Sequence, residues 1–234
     1  MNNLEYKAIL WDIDGTLIDT TALIVGVLES TFKHFTGRDV PHDDLRSLIG
    51  IPLDGQVGYL GDPASFGTTV DEMSAFAVRA YERGRDQERV IPEVVEALIQ
   101  IKRRGVPTAL VTSKSDVEVA NSLPRLGVSA YCDAIITADQ VAPYYKPHPR
   151  PVQLALEKLG NPDPATVLFI GDSVHDMQSG KAAGVNVAAV LWGAATHAML
   201  ERENPDLIFS RPSEIVPVLI GDTEYADSIH ASSK

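Results

Sequence analysis

Six short apolar, β-prone runs recur along this chain, at residues 6–11, 108–111, 134–137, 167–170, 186–190 and 206–209, with helix-patterned segments between most of them. This alternation predicts an α/β fold with a Rossmann-like parallel-sheet core, since parallel neighbours need a crossover long enough to hold a helix. Pro92 and Gly105 bracket one crossover, and Val94, Ala97, Leu98 and Ile101 between them follow helical spacing. Ser115 and Asp116 open another. The interval between the first two runs is out of scale, because residues 12–107 far exceed an ordinary connection. Ile24, Val27, Leu28, Thr31, Phe32 and Phe35 repeat at i, i+3, i+4, i+7, as do Met73, Phe76, Ala77, Ala80 and Tyr81. An inserted α-helical cap subdomain is therefore expected over residues 19–88, with loops around Gly50-Ile51-Pro52-Leu53, Gly58 and Gly61. The core is expected over 1–18 and 89–220, followed by a polar tail over 221–234.

With 234 residues, 44% of them hydrophobic, the chain can bury a full core. One cysteine, Cys132, leaves no intrachain disulfide, and the opening residues run into the first strand without a charged-then-apolar leader. The expected location is cytoplasmic. No apolar stretch approaches the ~20 residues needed to span a bilayer, the nearest being the mixed run 185–195, so no membrane partner is expected. A net charge of -12 repels polyanions and no basic tract offsets it, which argues against nucleic acid. A single anionic metabolite stays compatible, because a local cation or metal can dominate the field inside a cleft. Monomer and homodimer both remain open.

The first apolar run ends as Ala8-Ile9-Leu10-Trp11-Asp12-Ile13-Asp14-Gly15-Thr16. Asp12 should emerge at the carboxyl end of its strand, where open α/β sheets place ligands, with Asp14 beside it as a proton donor next to a nucleophile. Val111-Thr112-Ser113-Lys114-Ser115 sets a hydroxyl and exposed amides before a helix N-terminus, an oxyanion site. Tyr144-Tyr145-Lys146-Pro147-His148-Pro149 fixes a lysine that can neutralise a phosphoryl group. Val167-Leu168-Phe169-Ile170-Gly171-Asp172-Ser173-Val174-His175-Asp176 again ends an apolar strand in paired acids, hard ligands suited to Mg²⁺. Asp12 and Asp172 would suffice as carboxylate ligands, with Asp176 orienting them or ligating through water.

In this order and spacing the four segments resemble the four motifs of the haloacid dehalogenase-like hydrolase superfamily, over essentially the whole chain. The resemblance implies Asp12 as a nucleophile forming an aspartyl-phosphate and Asp14 as acid and base. It implies Mg²⁺ held by the Asp12 carboxylate, the Asp14 backbone carbonyl and Asp172. Thr112, Lys146 and amides around Gly15 and Ser113 would bind the phosphoryl. Asp14 at its position favours phosphate esters over dehalogenation or phosphonate cleavage. The cap, Gly50-Ile51-Pro52-Leu53, Thr112-Ser113-Lys114-Ser115 and Val190-Leu191-Trp192-Gly193 look most like the phosphoglycolate phosphatase branch, with the pyrophosphatase branch nearby. Trp11 where Phe is typical, and Ser113 where Asn is common, remove no catalytic group.

The expected partner is a small soluble phosphorylated metabolite, with a sugar phosphate as a further possibility. β-Phosphoglucomutase, a non-hydrolytic relative, usually offers a cap-loop arginine to a second phosphate. Gly50-Ile51-Pro52-Leu53-Asp54 has none, which favours hydrolysis unless Arg46, Arg79, Arg83 or Arg85 reaches the cleft. A catalytically silent binding module is disfavoured because every chemical group is present. Cys132 and Trp192 read as packing residues, and the histidines are too dispersed for a zinc site, although His175 should lie near the metal.

Overall fold

A run without a polar side chain belongs where both faces of a strand are covered, and Ala8–Trp11 is wholly buried in the middle of a six-stranded parallel sheet. The computed structural model describes residues 6–220, so the tail expected over 221–234 lies outside the described residues. Its strands are β1 (Ala8–Trp11), β2 (Ile18–Asp19), β3 (Arg89–Val90), β4 (Thr108–Val111), β5 (Ala134–Ile136), β6 (Val167–Gly171), β7 (Asn186–Val190) and β8 (Leu207–Phe209). The α-helices are α1 (Thr21–Thr36), α2 (His42–Ser47), α3 (Leu53–Val57), α4 (Val70–Gly84), α5 (Pro92–Arg103), α6 (Asp116–Leu126), α7 (Ala138–Val141), α8 (Arg150–Lys158), α9 (Val174–Ala182), α10 (His197–Arg202) and α11 (Ile215–Ile220).

The sheet order is β5-β4-β1-β6-β7-β8, the α/β Rossmann-like architecture the alternation predicts. Successive β1 side chains point to opposite faces, as the two-residue period of a strand requires. Ile9 and Trp11 join Val94, Leu98 and Ile101 of α5 and Leu123 of α6, whereas Ala8 and Leu10 join Val152, Ala155 and Leu156 of α8. Because β1 is flanked by β4 on one side and β6 on the other, the chain reverses its winding there. The carboxyl end of β1 therefore opens into the crevice where doubly wound sheets bind ligands.

Helices α1 to α4 lie between β2 and β3 and have their own apolar cluster, including Val25, Leu28, Phe32, Leu45, Val57 and Met73. Burying a Leu28 or a Phe32, each fully enclosed, contributes roughly 1.5–3 kcal/mol. Helix α1 stops at Gly37, whose φ of 69° closes the last turn onto the Lys33 carbonyl. Helix α4 starts with a reciprocal capping box between Thr69 and Glu72. The two chain crossings into and out of this insert pair as an antiparallel ribbon, Ile18 opposite Val90 and Asp19 opposite Arg89. Ala194, from the loop after β7, packs into the insert's cluster.

Candidate active site

Asp12 continues β1 by one residue, its amide donating to the Ile170 carbonyl of β6 at 2.9 Å, which fixes its carboxylate at the crevice. Lys146 approaches from the segment before α8. Its Nζ donates to Asp12 Oδ1 at 2.6 Å, to Asp176 Oδ1 at 2.7 Å and to the Val111 carbonyl at 2.8 Å. Asp176 is itself held by the turn that opens α9, its Oδ2 accepting from the Ser173 hydroxyl at 2.6 Å and amide at 3.1 Å. Asp172 accepts from the Thr16 hydroxyl at 3.1 Å and the Ala194 amide at 2.6 Å. Glycines make this closeness possible. A Cβ on Gly15 would lie 2.3 Å from Asp172 Oδ2, and one on Gly193 would lie 2.2 Å from it.

Three carboxylates thus meet one ammonium in a buried place. Burial foremost drives the Asp12 carboxyl well above its ordinary range; Lys146 opposes this and the charges of Asp176 and Asp172 reinforce it. Burial, then the Asp176 charge, push Asp172 up to about 7 against the bonds from Ala194 and Thr16. Burial disfavours the Lys146 charge, but Asp12 and Asp176 outweigh it and hold the ammonium above its usual range.

Asp14 faces a different neighbourhood. Its Oδ1 accepts from the Thr20 hydroxyl at 2.8 Å and lies 2.9 Å from Lys114 Nζ. Thr112 is buried with its hydroxyl accepting the Lys114 amide at 3.1 Å, and it lines the same cleft as Asp12 and Asp14. The Ser113 hydroxyl donates to the Gly50 carbonyl of the insert at 2.6 Å, so its proton is already engaged and its backbone amide is the donor left for an anion. Gly15 differs from expectation, because its amide already donates to the Ile18 carbonyl at 2.8 Å. Its role in the turn is conformational, with φ of 76°, and steric, making room for Asp172.

The cleft is walled on the insert side by Ile24, Val27, Leu28, Ile51, Leu53 and Val78, with Gln56, Tyr81 and Glu118 at its polar margin. Arg46, Arg79, Arg83 and Arg85 are not among the lining residues. His175 is outside the acid cluster, and burial foremost lowers its pKa. Trp192 donates its indole N–H to the Thr16 carbonyl at 3.1 Å and packs on the core.

Sequence reasoning did not single out Lys114, Tyr81 or Glu88. A lysine two residues after Thr112 was in view, but nothing in the string says that it turns toward Asp14. Burial disfavours its charge, and Asp14 and Tyr81 beside it reverse that preference.

The donor set fits a hard divalent cation. Asp12, Asp172 and Asp176 each offer an oxygen within 4.8 Å of the others, and their surplus negative charge over Lys146 is what a divalent ion would neutralise. Asp14 contributes no side-chain oxygen to this cluster.

The sequence model of the haloacid dehalogenase-like hydrolases matches residues 9–190 of the chain. This protein belongs to that family. As a hydrolase of the family it is an enzyme, and its curated relatives match along nearly their full length. A pyrophosphatase PpaX of Bacillus velezensis is 33% identical over 93% of this chain and 98% of its own, and that of Oceanobacillus iheyensis is 32% identical over 94% and 99%. Among solved structures, a proposed phosphoglycolate phosphatase from Lactobacillus plantarum superposes with a TM-score of 0.78 at 26% identity, covering 91% of this chain and 99% of that one. A proposed β-phosphoglucomutase from Thermotoga maritima gives 0.70 at 26%, covering 91% and 97%.

Proposed function

We propose that this hydrolase is a Mg²⁺-dependent phosphatase that cleaves a small soluble phosphate monoester through phosphoryl transfer to Asp12. The observation that carries the reading is Lys146 bridging Asp12 and Asp176 in a cluster with Asp172, with Asp14 two residues from Asp12 on separate partners. Lys146 occupies Oδ1 of Asp12, so the second oxygen serves as nucleophile. That oxygen bonds to phosphorus as the ester P–O bond breaks, and the Asp14 carboxyl gives its proton to the leaving oxygen. Asp14 then takes a proton from the water that attacks phosphorus, the bond to Asp12 breaks, and inorganic phosphate leaves. Asp12, the Asp14 carbonyl and Asp172 would hold Mg²⁺, with Asp176 and Lys146 orienting that set; bound there, the ion offsets charge on the transferring phosphoryl. The Thr112 hydroxyl and the Ser113 amide would bind the phosphoryl oxygens, and the Lys146 ammonium, its three N–H bonds on Asp12, Asp176 and Val111, would offset their charge from beside them.

The cleft's apolar wall, with Lys114 as its cation already engaged by Asp14, supports a small organic leaving group without a second phosphate. Phosphoglycolate is the first candidate because the cap, Thr112-Ser113-Lys114-Ser115 and Val190-Leu191-Trp192-Gly193 resemble the phosphoglycolate phosphatase branch. The second reading, pyrophosphate, is favoured by the names of the 33% and 32% identical relatives.

Phosphate release across phosphoglycolate, pyrophosphate, sugar phosphates and nucleotides, with Mg²⁺ and with EDTA, separates the readings. The expected result is a Mg²⁺-dependent hit that Asp12→Asn lowers by about a thousandfold or more. Wild-type turnover in Asp12→Asn would refute the covalent route. A preference for pyrophosphate would select the second reading, and glucose 6-phosphate formed from β-glucose 1-phosphate would indicate a mutase.

A further inference from the structure

Buried Lys114, Glu88 and Ser122 and half-buried Tyr81 are polar groups to which the phosphoryl-transfer steps give no task. They form one continuous chain that begins at Asp14. Lys114 Nζ lies 2.9 Å from Asp14 Oδ1 and donates to the Tyr81 hydroxyl at 3.1 Å. The Tyr81 hydroxyl donates to Glu88 Oε1 at 2.5 Å, and the same Glu88 oxygen accepts from Ser122 Oγ at 2.5 Å. Arg125 of α6 pairs with the other Glu88 oxygen. A phenol has one proton and a carboxylate only accepts, so with that proton on Glu88 the Tyr81 lone pairs face the ammonium. The direction of every bond is thereby fixed. The members also come from different parts of the molecule: Tyr81 from α4 of the insert, Lys114 from the loop after β4, and Glu88 from the return crossing just before β3.

We propose that Lys114 is a positioning residue for Asp14, and that Tyr81, anchored on Glu88, sets Lys114 in place only while the insert is docked on the core. This rests on the reading of Asp14 as acid and base. With Lys114 and Thr20 both on Oδ1, the carboxylate cannot rotate freely. When α4 lifts, Lys114 loses its hydroxyl partner and Asp14 loses its fixed geometry. Proton transfer is thus coupled to docking through a chain that contacts no reacting atom beyond Asp14.

Tyr81→Phe tests this, since it removes one oxygen and keeps the ring. In full-length protein with p-nitrophenyl phosphate and Mg²⁺, kcat is expected to fall about tenfold with KM within about twofold, the signature of lost alignment. In a Lys114→Met background the same change should cost nothing more, because the two residues act as one unit. Without substrate, hydrogen exchange over residues 85–90 and 112–116 should speed up severalfold in Tyr81→Phe. An unchanged kcat would overturn the proposal, as would a raised KM at constant kcat, which would make these residues substrate contacts. Unchanged exchange would likewise overturn the coupling. If wild-type protein releases no phosphate from any ester, the phosphatase reading fails instead, and the exchange comparison still decides the coupling.

Discussion

Asp172 shows what placing acids together at a strand end costs a fold. Its carboxyl is pushed up to about 7, burial first and Asp176 next, whereas an unfolded chain would give it an ordinary carboxylate value. Between those two values the folded protein holds a proton that the unfolded chain has released. Stability is therefore present at the acidic end of the window and lost as pH rises through about 7. In EDTA, the melting temperature should fall between about pH 5 and 8, reflecting a loss on the order of a few kcal/mol. Saturating Mg²⁺ should flatten that slope by satisfying the ionised acids, and Asp172→Asn should shrink it without metal, leaving the part that the raised Asp12 contributes. A slope that neither change lowers would place its origin elsewhere. Residues of this kind were legible in the sequence, because an apolar strand ending in Asp is a local pattern that already states its exposure and chemistry. Lys114 was not. A loop lysine has no period, and its partners Asp14 and Tyr81 lie 100 and 33 positions away.

Among the elements, legibility followed length. Strand β1 and helix α5 were readable because four consecutive buried residues, or Val94, Ala97, Leu98 and Ile101 on one stripe, repeat a periodic environment. The β2–β3 ribbon was missed because two-residue strands contain no period to detect, and their pairing joins residues far apart in sequence. The loop after β7 was read as a family-like segment whose part in the site could not be seen. In the structure it closes on Asp172, with Ala194 donating to Oδ2 and Gly193 pressed against the side chain. Gly193→Ala would put a Cβ 2.2 Å from Asp172 Cβ, so the carboxylate must shift. Calorimetric titration should show Mg²⁺ binding weaker by about 10–100-fold, the usual loss when a ligand's orientation is disturbed. Undiminished affinity in a variant with wild-type melting would remove Asp172 from the proposed ligand set.

At the scale of the whole molecule, the long interval after β1 announced an insertion, yet where it docks could be read only from the folded chain. Bonds between insert and core include the Ser113 hydroxyl on the Gly50 carbonyl, Lys114 on Tyr81, Arg125 on the Arg85 carbonyl and Ser122 on Glu88, and Ala194 packs within the insert's apolar cluster. Gly50 is pressed so close that a Cβ there would lie 2.6 Å from Ser173 Oγ. Hydrogen bonds of this kind contribute about 0.5–1.5 kcal/mol each, and a ligand that bridges insert and core shifts the balance toward the docked form. Docking would exclude water while the phosphoryl moves, and release would let product leave. Solution scattering should therefore give a smaller radius of gyration with a Mg²⁺–fluoride phosphate mimic than without it. Ser113→Ala, which removes one of these bonds, should enlarge the free form and leave the mimic-bound form unchanged. Identical profiles with and without the mimic, in wild type and variant alike, would mean that the insert stays docked throughout turnover and that substrate enters through the standing cleft.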